Sequence, residues 1–237
     1  MNSKRSTMLQ MTDVAKTYRI GGQLVCALDC VTLTLTRGEF VAVVGPSGAG
    51  KSTLLHLLGA LDTPDSGSIM FEGNEISDLN DDEQSEFRRR SVGFVFQFFN
   101  LLPTMTAWEN VAVPKLLDGA RMSRARPRAL ELLALVDLAD RAEHRPSELS
   151  GGQMQRVAVA RALMMDPPLV LADEPTGNLD TKTGTAIMEL LTGIAHEDGR
   201  SVVMVTHNLE AASATDRVIT LTDGRIGSDV SADRAPP

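Results

Sequence analysis

The chain has 237 residues, 31 acidic against 23 basic side chains, and a formal net charge of −8. It is long enough for one large α/β domain, or a core with a small satellite, and too short for a separate regulatory domain as well. The acidic balance argues against a nucleic-acid partner, which needs a basic face, and no apolar run reaches the roughly 18 residues of a membrane span. Met1 to Thr7 is polar and lacks the apolar stretch of a signal peptide, so a cytoplasmic location is expected. Cys26 and Cys30 have no second pair with which to build a zinc site and read as ordinary reduced thiols.

Leu9 to Tyr18 and Leu24 to Thr36 read as strands, the second alternating Val31, Leu33 and Leu35 with Thr32, Thr34 and Thr36. Arg37-Gly38 turns the chain into Phe40 to Val44, a short apolar run suited to a strand buried on both faces. Directly after it comes Gly45-Pro46-Ser47-Gly48-Ala49-Gly50-Lys51-Ser52-Thr53, followed by Leu54, Leu57, Leu58 and Leu61 at the spacing of one helix face. Glycines between a strand and a helix let successive backbone N–H groups close around phosphate oxygens, with the positive end of the helix dipole aimed at the same point. Lys51 is expected to reach the β- and γ-phosphates of a nucleotide. Ser52 is expected to offer its hydroxyl to Mg²⁺, leaving the metal to be completed by a carboxylate elsewhere in the chain.

Asp62 to Gly67 is dense in turn formers, Ser68 to Phe71 adds a strand, and Asp81 to Arg90 is a polar helix. Val92, Phe94 and Phe96 alternate in a strand expected to end at Gln97. From Phe98 to Met165 strand signals fade, while Leu130, Leu133 and Ala134, then Val157, Ala160 and Met164, keep helical spacing. This middle part reads as a helical satellite. Strands return at Leu169 to Ala172 and Val202 to Thr206, on either side of a helix carrying Ile187, Leu190, Leu191 and Ile194. Asp229 to Pro237 reads as a mobile tail.

Two carboxylates, Asp173 and Glu174, end the apolar strand from Leu169. Asp173 can hold Mg²⁺ through water, and Glu174 stands one residue further on, where it can polarise a water attacking the γ-phosphorus. Upstream, Leu149-Ser150-Gly151-Gly152-Gln153 opens a helix expected to run from Ser150 to Met165, a second N-terminus prepared for an anion.

With these motifs in place, the sequence from about Leu9 to Ile226 resembles the nucleotide-binding subunit of ATP-binding cassette (ABC) transporters. The resemblance implies an α/β fold, a P-loop NTPase core with an N-terminal antiparallel β subdomain and an inserted α-helical subdomain. Residues 1–97 and 164–228 would form the core, 98–163 the helical part and 229–237 the tail. It further implies that Tyr18 stacks on adenine and that Gln97 senses Mg²⁺ and the transporter. Asp180 is implied as the loop aspartate and His207 as the histidine facing the γ-phosphate. The catalytic set is then Glu174, His207 and Gln97, and the metal set Ser52, Gln97 and Asp173. Ser150, Gly151, Gly152 and Gln153 would serve a neighbouring copy, so that two chains packed head to tail bury two Mg-ATP. An integral membrane permease is the implied further partner, with the chain peripheral on the cytoplasmic side. Stacking needs only a ring face, so Phe is expected to replace Tyr18 without loss. His56, His144 and His196 lack such context and read as structural or solvated.

Phe98 to Val111 and Asp173 to Asp180 look like the branch with macrolide-efflux, lipoprotein-releasing and cell-division ATPases. Trp108 is read as core filler or as part of a permease-facing groove. Arg88, Arg89, Arg90, Arg121, Arg124, Arg126 and Arg128 make the middle locally basic, as a solvated face or as a contact for lipid headgroups or an acidic helix. A cassette regulating an extracellular hydrolase is a rival reading. A soluble DNA-repair cassette would need a long insertion between Gln97 and Leu149, and a translation-factor type would need two cassettes.

Overall fold

The computed structural model describes residues 6–231. In chain order the elements are β1 (Thr7–Ile20), β2 (Gln23–Thr36), β3 (Phe40–Val44), α1 (Lys51–Leu58), β4 (Ser66–Phe71), β5 (Asn74–Glu75), α2 (Asp81–Ser91) and β6 (Val92–Val95). They continue with α3 (Ala107–Leu117), α4 (Met122–Leu135), α5 (Gly151–Ala162), β7 (Leu169–Asp173), α6 (Thr181–His196), β8 (Ser201–Val205), α7 (Leu209–Ser213), β9 (Arg217–Thr222) and β10 (Arg225–Ser231). The first sheet is antiparallel in the order β2-β1-β4-β5, and the second runs β10-β9-β3-β8-β7-β6, parallel except for β10.

Strand β3 shows how the layers form. All five of its residues are buried, and alternate side chains enter different cores, as the period of two requires. Phe40, Ala42 and Val44 pack with Ile187, Leu191 and the buried residues of α3, α4 and α5. Val41 and Val43 pack with Leu54, Leu57 and Leu58 of α1 and with the inner face of the antiparallel sheet. The centre of the parallel sheet is therefore covered on both faces, and its strands β3, β7 and β8 are apolar runs without alternation.

Several boundaries differ from the sequence expectation. Helix α1 stops at Gly59, and Ala60 turns at a positive φ of 48°, so Leu61 lies beyond the helix and is exposed. Strand β6 ends at Val95, two residues before Gln97. The buried face of α4 is Ala125, Ala129, Leu132 and Leu133, with Leu130 only half-buried and Ala134 exposed. Ala162 ends α5, and Met165 follows it. Asp229, Val230 and Ser231, read as tail, complete β10, where the Asp229 carboxylate accepts from Nε and Nη2 of Arg217, each at 2.6 Å. The remainder of that tail, and the first five residues of the Met1 to Thr7 segment, lie outside the described residues.

Helix α5 is seated against β6 at Gly93, where an added Cβ would lie 2.4 Å from the Ala162 carbonyl oxygen. Gly93→Ala should push the helix off the sheet and cost about 1–3 kcal/mol as an overpacking change, read as a lowered urea midpoint with an unchanged slope.

Candidate functional site

Strands β3, β6, β7 and β8 release their loops at one edge of the parallel sheet, where open α/β sheets present a binding crevice. Val43 and Asp173 both stand opposite Val205, and Val95 stands opposite Ala172. The chain thus brings Gly45, Gln97, Glu174 and Thr206 out on the same side. A cleft of about 520 Å³ opens there. Ser47, Gly48, Gly50, Lys51, Ser52 and Thr53 line it from the loop and α1, Gln97, Asp173, Glu174 and His207 from the other strand ends, and Tyr18, Ile20, Val25 and Ala27 from the β1–β2 hairpin.

The loop after β3 is shaped for an anion. Its last glycine, Gly50, is the N-cap of α1 at φ 99°, and a Cβ there would lie 2.2 Å from the Ala27 carbonyl oxygen. No side chain caps α1 and its first turn holds no acid, as is also true of α4, whereas α2, α3, α5, α6 and α7 each carry a capping side chain. An uncapped helix N-terminus at the floor of a cleft is an anion site in geometry and in dipole. Gly45 and Pro46 form the wall of the loop, their carbonyls accepting from Lys51 Nζ at 2.8 and 2.9 Å, while Ala49 is buried beneath. The residues present fit a nucleotide triphosphate.

They also fit Mg²⁺ of the kind held largely by phosphate. Among the described residues no three His, Cys, Asp or Glu side chains gather as a cation cage, and Mg²⁺ in such sites needs one or two protein oxygens beside its waters and phosphates. Ser52, Asp173 and Gln97 face the cleft together. Burial pushes the Asp173 carboxyl above the ordinary carboxylate range, the Glu174 carboxylate beside it adds to the rise, and the charges of His56 and Lys51 offset part of it. A divalent cation relieves that strain between two neighbouring acids.

Glu174 occupies left-handed backbone at φ 46°, its N–H tied to the Val205 carbonyl at 2.9 Å. A non-glycine residue held there marks a position over-determined by its surroundings. Its carboxylate accepts from Thr206 Oγ1 at 3.1 Å and pairs with His207 Nδ1 at 2.8 Å. The glutamate is largely buried and the histidine exposed. Gln97 is fixed reciprocally: its Nε2 donates to Asn178 Oδ1 at 3.4 Å, and Asn178 Nδ2 donates to the Gln97 carbonyl at 3.0 Å.

Ser150, Gly151, Gly152, Gln153 and Asp180 do not line this cleft. Ser150 caps α5 in a reciprocal box with Gln153, and Gly152 lies against α6, where a Cβ would meet Thr183 Cγ2 at 2.2 Å. Asp180 caps α6 by accepting from the Thr183 N–H and hydroxyl at 3.0 and 2.6 Å. The start of α5 thus lies outside the cleft of its own chain, and unlike α1 it is capped by a side chain.

A second, more apolar groove of about 630 Å³ runs past Phe94, Phe96, Val113, Pro114 and Leu117, with Arg88, Arg89 and Arg161 among its walls. Burial lowers the pKa of the Arg161 guanidinium, which donates to the carbonyls of Phe99 and Asn100 just beyond Gln97. Trp108 does not line the groove. It is a core residue, its Nε1 donating to Glu143 at 3.2 Å and Arg126 lying over its ring. Of the basic run, Arg90 pairs with Glu86, Arg126 with Glu143 and Arg128 with Glu131 and Asp166, so those charges are balanced locally. His144 stands beside Arg141 and His196 pairs with Asp216.

The family model described as ABC transporter matches residues 28–177, which holds both the loop after β3 and the carboxylates after β7. The chain belongs to the ABC transporter family. It is 50% identical over 222 residues to the macrolide export ATP-binding/permease protein MacB of Chlorobaculum tepidum, covering 94% of this chain and 34% of that protein. The chain spans about a third of that relative's length. It is 49% identical to the lipoprotein-releasing system ATP-binding protein LolD of Geobacter metallireducens, over 94% of this chain and 100% of that one. A solved ABC structure, the dimeric post-hydrolysis state of MJ0796 from Methanocaldococcus jannaschii bound to ADP and Pi, superposes with a TM-score of 0.87 at 45% identity, covering 94% of this chain and 98% of that one. The chain is an ABC ATPase cassette, and its mixed α/β fold is the one expected. Among the described residues no helix is long and apolar enough to cross a membrane.

The sequence alone did not point to Thr206 or Asn178, which hold Glu174 and Gln97. Thr206 carried a signal, as a hydroxyl at the end of the apolar run from Val202; Asn178 lies in a loop whose path the sequence does not reveal.

Proposed function

We propose that this cassette binds Mg-ATP in the cleft, hydrolyses it, and pairs head to tail with a second copy to drive an integral membrane permease. The relatives' names, macrolide export and lipoprotein release, favour export or the transmission of force to a portion of the permease beyond the membrane. The observation that carries the reading is the separation of Ser150 to Gln153 from the cleft of their own chain. A glycine-rich helix start that lies outside the cleft of its own chain is accounted for by a partner's nucleotide, and MJ0796, a solved relative, is a dimer.

In this scheme Lys51 and the N–H groups opening α1 hold the phosphates, and Tyr18 stacks on the base. Mg²⁺, when bound, would supply charge neutralisation on the phosphates. Ser52, Asp173 and Gln97 would hold it. Glu174 orients the water and takes its proton, with His207 and Thr206 fixing the carboxylate. Phosphate charge held between two chains closes the pair, and separation of the hydrolysis products opens it, so turnover becomes a stroke.

The Phe94, Phe96 and Leu117 groove with its arginines fits a permease helix bearing apolar and acidic side chains. Co-purification from membranes tests the reading: tagged chain extracted in mild detergent should retain one integral membrane protein. Leu117 is 73% exposed, so Leu117→Asp should fold normally and keep the ATPase rate of the isolated chain while capturing several-fold less of that protein. Equal capture by both chains would move the docking site elsewhere, and no capture by the parent would remove the permease from the scheme.

A further inference from the structure

Lys16 is a charged side chain in the first sheet that the phosphate chemistry does not use. Beyond the positive-φ residue Asp13, the positions Val14, Lys16 and Tyr18 share one face of β1, and Lys16 is only 9% exposed. A lysine is almost never buried without partners. Here Nζ donates to Asp62 Oδ1 at 2.7 Å and to the Thr63 carbonyl at 2.6 Å, with Asp65 at 3.7 Å. The other oxygen of Asp62 accepts from the Tyr18 phenol at 2.8 Å. Lys16 Nζ also stands 5.4 Å from the centroid of the Tyr18 ring.

From this arrangement we propose that Asp62 is a positioning residue for the nucleobase, holding the Tyr18 ring in place before the nucleotide arrives. The inference rests on the reading that Tyr18 stacks on the base, and it deepens that reading. A tyrosine ring at the mouth of a cleft loses torsional freedom when a base settles on it, and a ring already pinned at its hydroxyl has less to lose. Lys16 in turn fixes Asp62, and its ammonium over the ring leaves the opposite face for the base. The sequence expectation that Phe serves as well as Tyr at position 18 fails on this account, because the hydroxyl has a partner.

The protonation states agree. Burial works to raise the Asp62 carboxyl, but the bonds from Lys16 and Tyr18 outweigh it and hold it below the ordinary value. Burial lowers the Lys16 ammonium, and the Asp62 bond and charge more than reverse that. The pair is therefore ionised throughout the neutral range.

The test compares Mg-ATP with Mg-tripolyphosphate, which offers the same phosphate chemistry without a base, on the full chain by calorimetry. A full aromatic stack is worth about 5- to 150-fold in affinity, so loss of positioning should cost a part of that. Asp62→Ala and Tyr18→Phe should each weaken ATP about 3- to 10-fold and leave tripolyphosphate unchanged. In the Tyr18→Phe background Asp62→Ala should add nothing for ATP. Asp62→Asn should recover most of the loss, its oxygen accepting from Lys16 and its amide donating to the phenol oxygen. Equal weakening of both ligands by Asp62→Ala would make Asp62 merely structural and overturn the proposal. Unchanged ATP affinity in Asp62→Ala, with Tyr18→Ala weakened, would overturn the proposal and leave the stacking intact. If Tyr18→Ala itself binds ATP like the parent, the stacking reading fails and the inference with it.

Discussion

Glu174→Gln is expected to bind ATP, to hydrolyse it about 10²- to 10⁴-fold more slowly than the parent, and to accumulate as an ATP-bound dimer. The reason lies in how little else the change disturbs. Glu174 is held by its left-handed backbone and its N–H bond to Val205, neither of which involves the side chain. Glutamine keeps an oxygen to accept from Thr206 and an amide that can face His207 Nδ1 in its accepting tautomer. What disappears is the negative charge and the basicity. Lys51, Ser52 and Asp173 remain, so phosphate and metal binding should survive, and the neighbouring Asp173 loses the like charge that helped raise its pKa. Size-exclusion chromatography with Mg²⁺ and ATP reads the dimer, and phosphate release reads the rate. Turnover at the parental rate, with contaminating ATPase excluded, would move the base to His207.

The residues legible from sequence alone were those whose chemistry depends on local order. Gly45 to Thr53 announces itself because a strand, a glycine loop and a helix start must be contiguous to hold a phosphate. Asp173 and Glu174 do so because an apolar strand ending in two acids is rarely a packing device. The parallel strands β3, β7 and β8 were equally plain, since burial on both faces leaves uninterrupted apolar runs.

Elements defined by long-range pairing were harder. Strand β10 is almost wholly exposed and polar, and it is held by β9 and by the forked ion pairs of Arg217 with Asp229 and Arg225 with Asp29, none of which shows in local sequence. Helix α3 contains Pro114 and has little one-sided patterning, because its neighbours α4 and α5 cover it on more than one side. The Lys16, Asp62 and Tyr18 chain spans 46 positions between lysine and aspartate. Nothing local to Lys16 marks it as buried or names its partner.

The second large effect is complementation between two inactive chains. Lys51→Ala removes the cation from the loop after β3, and Ser150→Arg puts a bulky charge at the start of α5, outside the cleft of the same chain. Arginine also removes the α5 cap, worth about 0.5–2 kcal/mol, and sets a positive charge at the positive end of the helix dipole. Both chains must therefore first be shown folded by thermal unfolding. Each homodimer carries two identical damaged sites and should fail to form an ATP-dependent dimer. In the mixed dimer one site joins Lys51 of one copy to Ser150 of the other, both intact, and the second site gathers both lesions. Mixing should then restore ATP-dependent association with one nucleotide retained per heterodimer, half the parental amount, measured with differently tagged chains and labelled ATP. Turnover is a separate quantity, since opening requires both halves to release. If two folded chains show no association in ATP beyond that of either alone, Ser150 to Gln153 do not complete a neighbour's site. The separation of the two helix starts within one chain would then need another explanation.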